Sequence, residues 1–147
     1  MANEIMVQNN TEIANNSDFA IPAGFICTID TETLDGKLAL ANVVNSAITM
    51  RDLVDTPIMV RDIITTPGVR SRTGESCTNC YLITDDGTAY FTQSDGIARG
   101  LKLIVGIFTD SRNGTFTAPC DMGVALVVKE QKLPNGNTLK TIVPVKN

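Results

Sequence analysis

A chain of 147 residues, 43% of them apolar, is the length of one domain with room for a proper core. It contains no histidine, which excludes the commonest general base, the Ser-His and Cys-His nucleophile pairs and histidine metal ligation. The net charge of −4 is uneven: residues 1–60 hold eight acids against two bases, and residues 61–147 hold ten bases against eight acids. Such asymmetry between halves is a hint of an interaction surface, and a strongly basic nucleic-acid protein would show far more of it. No run approaches the ~18 apolar residues of a membrane span. The start, MANEIMVQNN, lacks the basic and apolar regions of a secretory signal, so a cytoplasmic location is expected.

Residues 1–18, rich in Asn, Thr and Glu and without periodicity, read as a flexible arm. Ile5, Met6, Val7 and Ile13 dot it with apolar contacts through which such an arm docks on a neighbouring copy; a frayed terminus is the plainer alternative. Residues 19–147 read as a single domain. A short strand is expected around Phe25 to Ile29 and a turn at Asp35-Gly36. Lys37 to Arg51 reads as a helix, because Leu40, Val43, Val44, Ala47 and Ile48 follow i, i+3, i+4 spacing. Its β-branched content leaves a strand from Lys37 as the competing reading.

After Pro57 the pattern turns to β. Ile58 to Thr66 is a strand ended by Pro67-Gly68, and a loop bearing Arg70 and Arg72 follows. Thr78 to Gln93 (TNCYLITDDGTAYFTQ) is a hairpin about Asp86-Gly87, the pair that favours a two-residue type I′ turn. That loop length sets Ile83 opposite Tyr90 and Leu82 opposite Phe91. Cys80, Leu82, Ala89 and Phe91 then share a core face, and Tyr81, Ile83, Tyr90 and Thr92 share the wetter one. Two adjacent tyrosines suit base stacking; ordinary half-buried sheet residues are the alternative.

Ser94 or Asp95 caps a helix whose face is Ile97, Leu101, Ile104, Val105 and Phe108. Its glycines, Gly96, Gly100 and Gly106, each weaken it by about 1 kcal/mol relative to alanine. Residues 109–120 are a loop, and a second hairpin runs from Val124 to Lys132, through Pro134-Asn135-Gly136, to Thr138–Val145. Five strands with a helix between the third and fourth is the order of the OB-fold, a small five-stranded barrel. The expected fold is therefore mainly β: an OB barrel over about residues 53–145 with an N-terminal extension of arm, short strand and helix.

Oligonucleotide-binding OB-folds use the face of strands 2 and 3, with the 1–2 and 4–5 loops as lips. On this parse Arg70 and Arg72 lie on one lip and Lys129, Lys132 and Lys140 on the other, with Tyr81 and Tyr90 between them as stacking residues. Gln93 offers polar contact to sugar or base edges. Basic lips around an aromatic floor are what sequence-tolerant single-strand binding needs. Cys77 and Cys80 form a CxxC, half of a zinc site, which Cys27 and Cys120 would complete. Those two stand alone rather than as a second close pair, so plain thiols are expected and no cofactor. No phosphate loop or catalytic constellation is visible, and no enzymatic activity is expected.

The segment VRDIITTPGVRSRTGESCTNCYLITDDGTAYFTQSDGIARGLKLIVGIF resembles the single-stranded-DNA-binding OB-fold proteins of Gram-positive conjugative plasmids and phages. There, too, a strand pair like CYLITDDGTAYFTQS leads into a glycine-bearing helix. The resemblance covers about Leu53 to Val145. It implies sequence-independent binding of single-stranded DNA, with double-stranded DNA as a further candidate, in conjugation or in phage or plasmid replication. It also implies side-by-side assembly along the strand through the N-terminal arm. The chain ends in IVPVKN rather than the acidic, glycine-rich tail of housekeeping single-strand-binding proteins, so recruitment of partners by such a tail is not expected. An OB-like module that binds protein instead of nucleic acid is the alternative function.

Overall fold

The structure is a computed structural model and describes residues 23–51 and 53–147. In chain order it contains α1 (Leu34–Ser46), β1 (Ile48–Thr49), β2 (Val60–Val69), β3 (Ser76–Thr84), β4 (Ala89–Thr92), α2 (Asp95–Ile107), β5 (Val124–Lys132) and β6 (Thr138–Lys146). A short 3-10 turn, Pro119–Met122, precedes β5. The protein is thus mainly β with two α-helices, and from β2 onward the expected sequence of strand, hairpin, helix, hairpin is present.

The strands form a four-stranded sheet in the order β1-β4-β3-β2 and a two-stranded sheet of β5 and β6. β1 runs parallel to β4, and the other pairs are antiparallel. The sheets meet where Ile58 and Leu126 exchange both backbone hydrogen bonds, each 2.8 Å long. They do not close into a barrel, and two contacts show why. The far edge of β4 is taken by β1 and by the Met50 N–H, which donates to the Phe91 carbonyl at 3.0 Å. The outer edge of β6 faces α2.

That second contact rests on glycine. Leu133 N–H donates to Asn137 O and Asn147 N–H to Gly123 O, so odd-numbered residues of β6 bond to β5 and even-numbered ones turn their backbone outward. A Cβ on Gly96 would collide with the outward carbonyl of Lys140, and one on Gly100 would lie 2.9 Å from that of Ile142. Two glycines one helical turn apart therefore let α2 lie directly on the strand edge. The residues that weaken the helix locally are the ones that seat it. Ser94 caps α2 by accepting from the Ile97 N–H at 3.3 Å, and Ile97, Leu101 and Ile104 are buried as their spacing predicts.

Three boundaries differ from expectation. α1 begins at Leu34 rather than Lys37, because Thr33 Oγ1 accepts the Gly36 N–H at 3.0 Å and draws Asp35-Gly36 into the first turn. It ends at Ser46, and Ile48-Thr49 leave it to form β1, so a strand beginning at Lys37 is excluded. In place of a strand over Phe25–Ile29 there is one bridge, Cys27 to Ile64, flanked by Thr28 N–H to Ile63 O and Thr65 N–H to Ile26 O. β2 runs through Pro67-Gly68 to Val69. The Ile63 and Thr65 N–H groups point to that outer edge, so the missing N–H of Pro67 falls where no strand is paired.

The central hairpin is one residue out of the expected register. Leu82 lies opposite Tyr90, and Tyr81 opposite Phe91. The loop has three residues, not two. Gly87 N–H donates to Thr84 O at 3.0 Å, Thr84 N–H donates to Thr88 O at 2.8 Å, and Gly87 alone of the turn has positive φ, at 90°. This is a type I turn followed by a left-handed glycine. The Asp86 carboxylate fixes it, accepting from the Thr84 hydroxyl and from the Thr88 N–H.

Because the side-chain period is two, the slip moves β4's residues to the other face relative to β3. The inner layer gathers Ile63, Cys80, Leu82, Ile97, Leu101, Ile104, Leu126 and Ile142, with Tyr90 packed against them. The outer layer gathers Ile64, Tyr81, Ile83 and Ala89 under Leu40 and Val43 of α1, with Phe91 beside them.

Candidate nucleic-acid interface

The two tyrosines stand on opposite faces of the sheet, so the expected paired platform is not formed. Tyr81 is 9% exposed in the layer beneath α1, its ring centroid 5.2 Å from that of Phe91 at 48°. Burial pushes its hydroxyl above the usual tyrosine range. Tyr90 is half-buried on the inner side. The aromatic ring left partly open on the outer face is Phe91, with Gln93 two residues along the same face.

Gln93 stands beyond the end of β4 and donates to Asn79 Oδ1 at 2.8 Å and to Val69 O at 3.5 Å, which ties α2's approach to the β2–β3 loop. That loop is closed by Arg70 N–H to Glu75 O at 2.9 Å and Gly74 N–H to Arg70 O at 2.8 Å. Arg70 reaches Asp95 at 3.2 Å, and Arg72 is exposed on the turn. Both partners of the Arg70 pair are substantially open to water, so the pair is weak and easily exchanged for another anion.

The second lip is the β5–β6 hairpin. Lys140 and Lys132 share the face that begins at the core residues Val128 and Ile142, and the Lys140 backbone passes directly over Gly96. Lys140 also lies 4.0 Å from Glu130 across the ladder. Lys129 points to the opposite face and pairs with Asp55 at 3.2 Å. The structure therefore brings Arg70, Gln93 and Lys140 together around the start of α2 and sets Arg72 and Lys132 on the lips. Lys129 is turned away from them.

One cation was missed by sequence reasoning. Arg51, assigned to the end of a helix, lies instead just past β1 and lines a cleft with Thr49, Thr92 and Lys140. No local signal marked it, because Ile48 continues the helical spacing from Val44 and β1 exists only through its pairing with β4.

The CxxC does not form a ligand pair. Cys77 and Cys80, three residues apart on β3, face opposite sides of the sheet. Cys80 is fully buried, and desolvation pushes its thiol up to about 12. Cys27 lies beside the edge of β2 and Cys120 in the 3-10 turn. Among the described residues no group of three or more Cys, Asp or Glu side chains is placed to hold a metal ion. Ile5, Met6, Val7 and Ile13 of the arm lie outside the described residues. No described helix is long and apolar enough to cross a membrane.

Comparison with protein-family models finds no match, and neither the curated proteins nor the solved structures contain one.

Proposed function

We propose that this chain is a non-enzymatic, single-stranded-DNA-binding protein on the OB plan, acting in plasmid conjugation or in phage or plasmid replication. One observation carries the reading: the β2–β3 loop and the β5–β6 hairpin both reach the first turn of α2, Arg70 through its pair with Asp95 and Lys140 through its backbone over Gly96. The strand lies between them, its phosphates on Arg70, Arg72, Lys132 and Lys140. Gln93 and Asn79 offer polar contacts, and the stacking role falls to Phe91 rather than to a tyrosine pair. Such contacts address the backbone and the π-face of any base, which gives binding without sequence preference. Assembly along the strand through the N-terminal arm belongs to the same reading.

The second reading, a protein-binding module of OB type, is favoured by the exposed apolar residues Leu34 and Leu38 on α1 and Leu103 and Ile107 on α2. Fluorescence anisotropy of a labelled dT oligonucleotide at two salt concentrations separates the readings. Binding that weakens steeply with salt, and weakens further in Arg70→Ala with Lys140→Ala, is the expected result. Absence of binding at low salt overturns the DNA reading.

A further inference from the structure

The cleft between β1, β4 and the β5–β6 hairpin has a volume of about 110 Å³ and two unlike halves. Its floor is apolar, made by Met50, Val54, Ile97 and Val128. Its rim carries two cations, Arg51 and Lys140, and two hydroxyls, Thr49 and Thr92. The cations come from segments about ninety positions apart in sequence, brought together because β1 pairs with β4 and the hairpin passes over α2. Two positive groups and two short hydroxyl donors around one small opening match the donor set that a phosphate accepts. A base finds no exposed aromatic ring there to stack on. The opening is also continuous with the lip on which Lys140 stands.

We propose that this cleft holds one backbone phosphate of the bound strand, with Arg51 as its principal cation and Thr49 as a hydroxyl donor. The assignment rests on the DNA-binding reading above and adds a contact that the lips alone do not provide. It turns the strand's path from the β2–β3 loop, past α2, toward β1.

The test is the salt dependence of dT-oligonucleotide binding by the full-length protein and by Arg51→Ala. Arg51 is exposed and belongs to neither buried layer, so the variant is expected to fold, which its circular dichroism would verify. Removing one phosphate contact lowers the slope of log K against log salt by about 0.7, equally for dT and dA strands. Arg51→Lys, which keeps the charge, is expected to recover most of that slope. Wild-type binding with an unchanged slope in Arg51→Ala overturns the cleft assignment and leaves the DNA reading standing. If the wild type binds no oligonucleotide, both fall. Inorganic phosphate at fixed ionic strength is expected to displace DNA from the wild type more readily than from Arg51→Ala, and equal displacement from both overturns the cleft assignment.

Discussion

α1 and α2 have the same length, 13 residues each, and cover opposite faces of one sheet, yet they are held very differently. α2 buries Ile97, Leu101 and Ile104 to 1% exposure or less and is seated on β6 through Gly96 and Gly100. α1 buries Leu40 and Val43 less completely and retains a cleft of about 230 Å³ against Ile83 and Ala89. Length and propensity do not decide how firmly a helix is held; close approach to its neighbour does. α2 is the element around which both sheets are assembled, and α1 is a cover laid over Tyr81.

The same truncation on the two helices gives the sharpest contrast. Leu101→Ala is expected to cost near the upper end of the ~2–5 kcal/mol range for buried leucines, and Leu40→Ala near the lower end, by denaturant unfolding. Equal costs would break the distinction between keystone and cover. The glycines refine it. Gly96→Ala should destabilise the protein, since its Cβ meets the Lys140 backbone, whereas Gly106→Ala has open space and should stabilise by up to about 1 kcal/mol. A thermal melt that moves the same way for both variants would refute the seating of α2 on a strand edge.

The smallest effect at neutral pH concerns Cys80. Its folded pKa is raised, so the unfolded chain loses the thiol proton first as pH rises. The contribution to stability is full below about pH 9 and declines as pH approaches 12. Cys80→Ala should remove that alkaline decline and leave the rest of the pH profile unchanged, as followed by urea midpoints across the window. The native thiol should also react slowly with alkylating reagents compared with the unfolded chain.

Much of this was legible in residues. Pro134-Asn135-Gly136 between two β-rich runs located the second hairpin, and Ser94 ahead of the Ile97, Leu101, Ile104 spacing located α2. The register of the first hairpin was not legible. Asp85-Asp86-Gly87 serves a two-residue loop on its last pair or a three-residue loop as a whole, and the choice depends on Thr84 and Thr88 holding the Asp86 carboxylate. The tyrosine platform failed on that one residue. Arg51 was hidden because the end of α1 and the existence of β1 depend on pairing with β4, a long-range contact with no local mark. Arg70 and Lys140 were identified as lip residues, but their meeting point at α2 followed from Gly96, which local propensity counted only as a flaw.

The three-residue loop between β3 and β4 also makes the choice of aromatic a matter of chain length. Losing the codon for Ala89 would keep the three-residue loop between Thr84 and Thr88 and slide the rest of β4 by one position, setting Tyr90 opposite Ile83 and Phe91 opposite Leu82. Phe91 would then face the layer beneath α2, and Tyr90 would come to lie alongside Tyr81 beneath α1. A family of such chains could therefore exchange a phenylalanine surface for a tyrosine pair by deletion alone, with no substitution at either aromatic position.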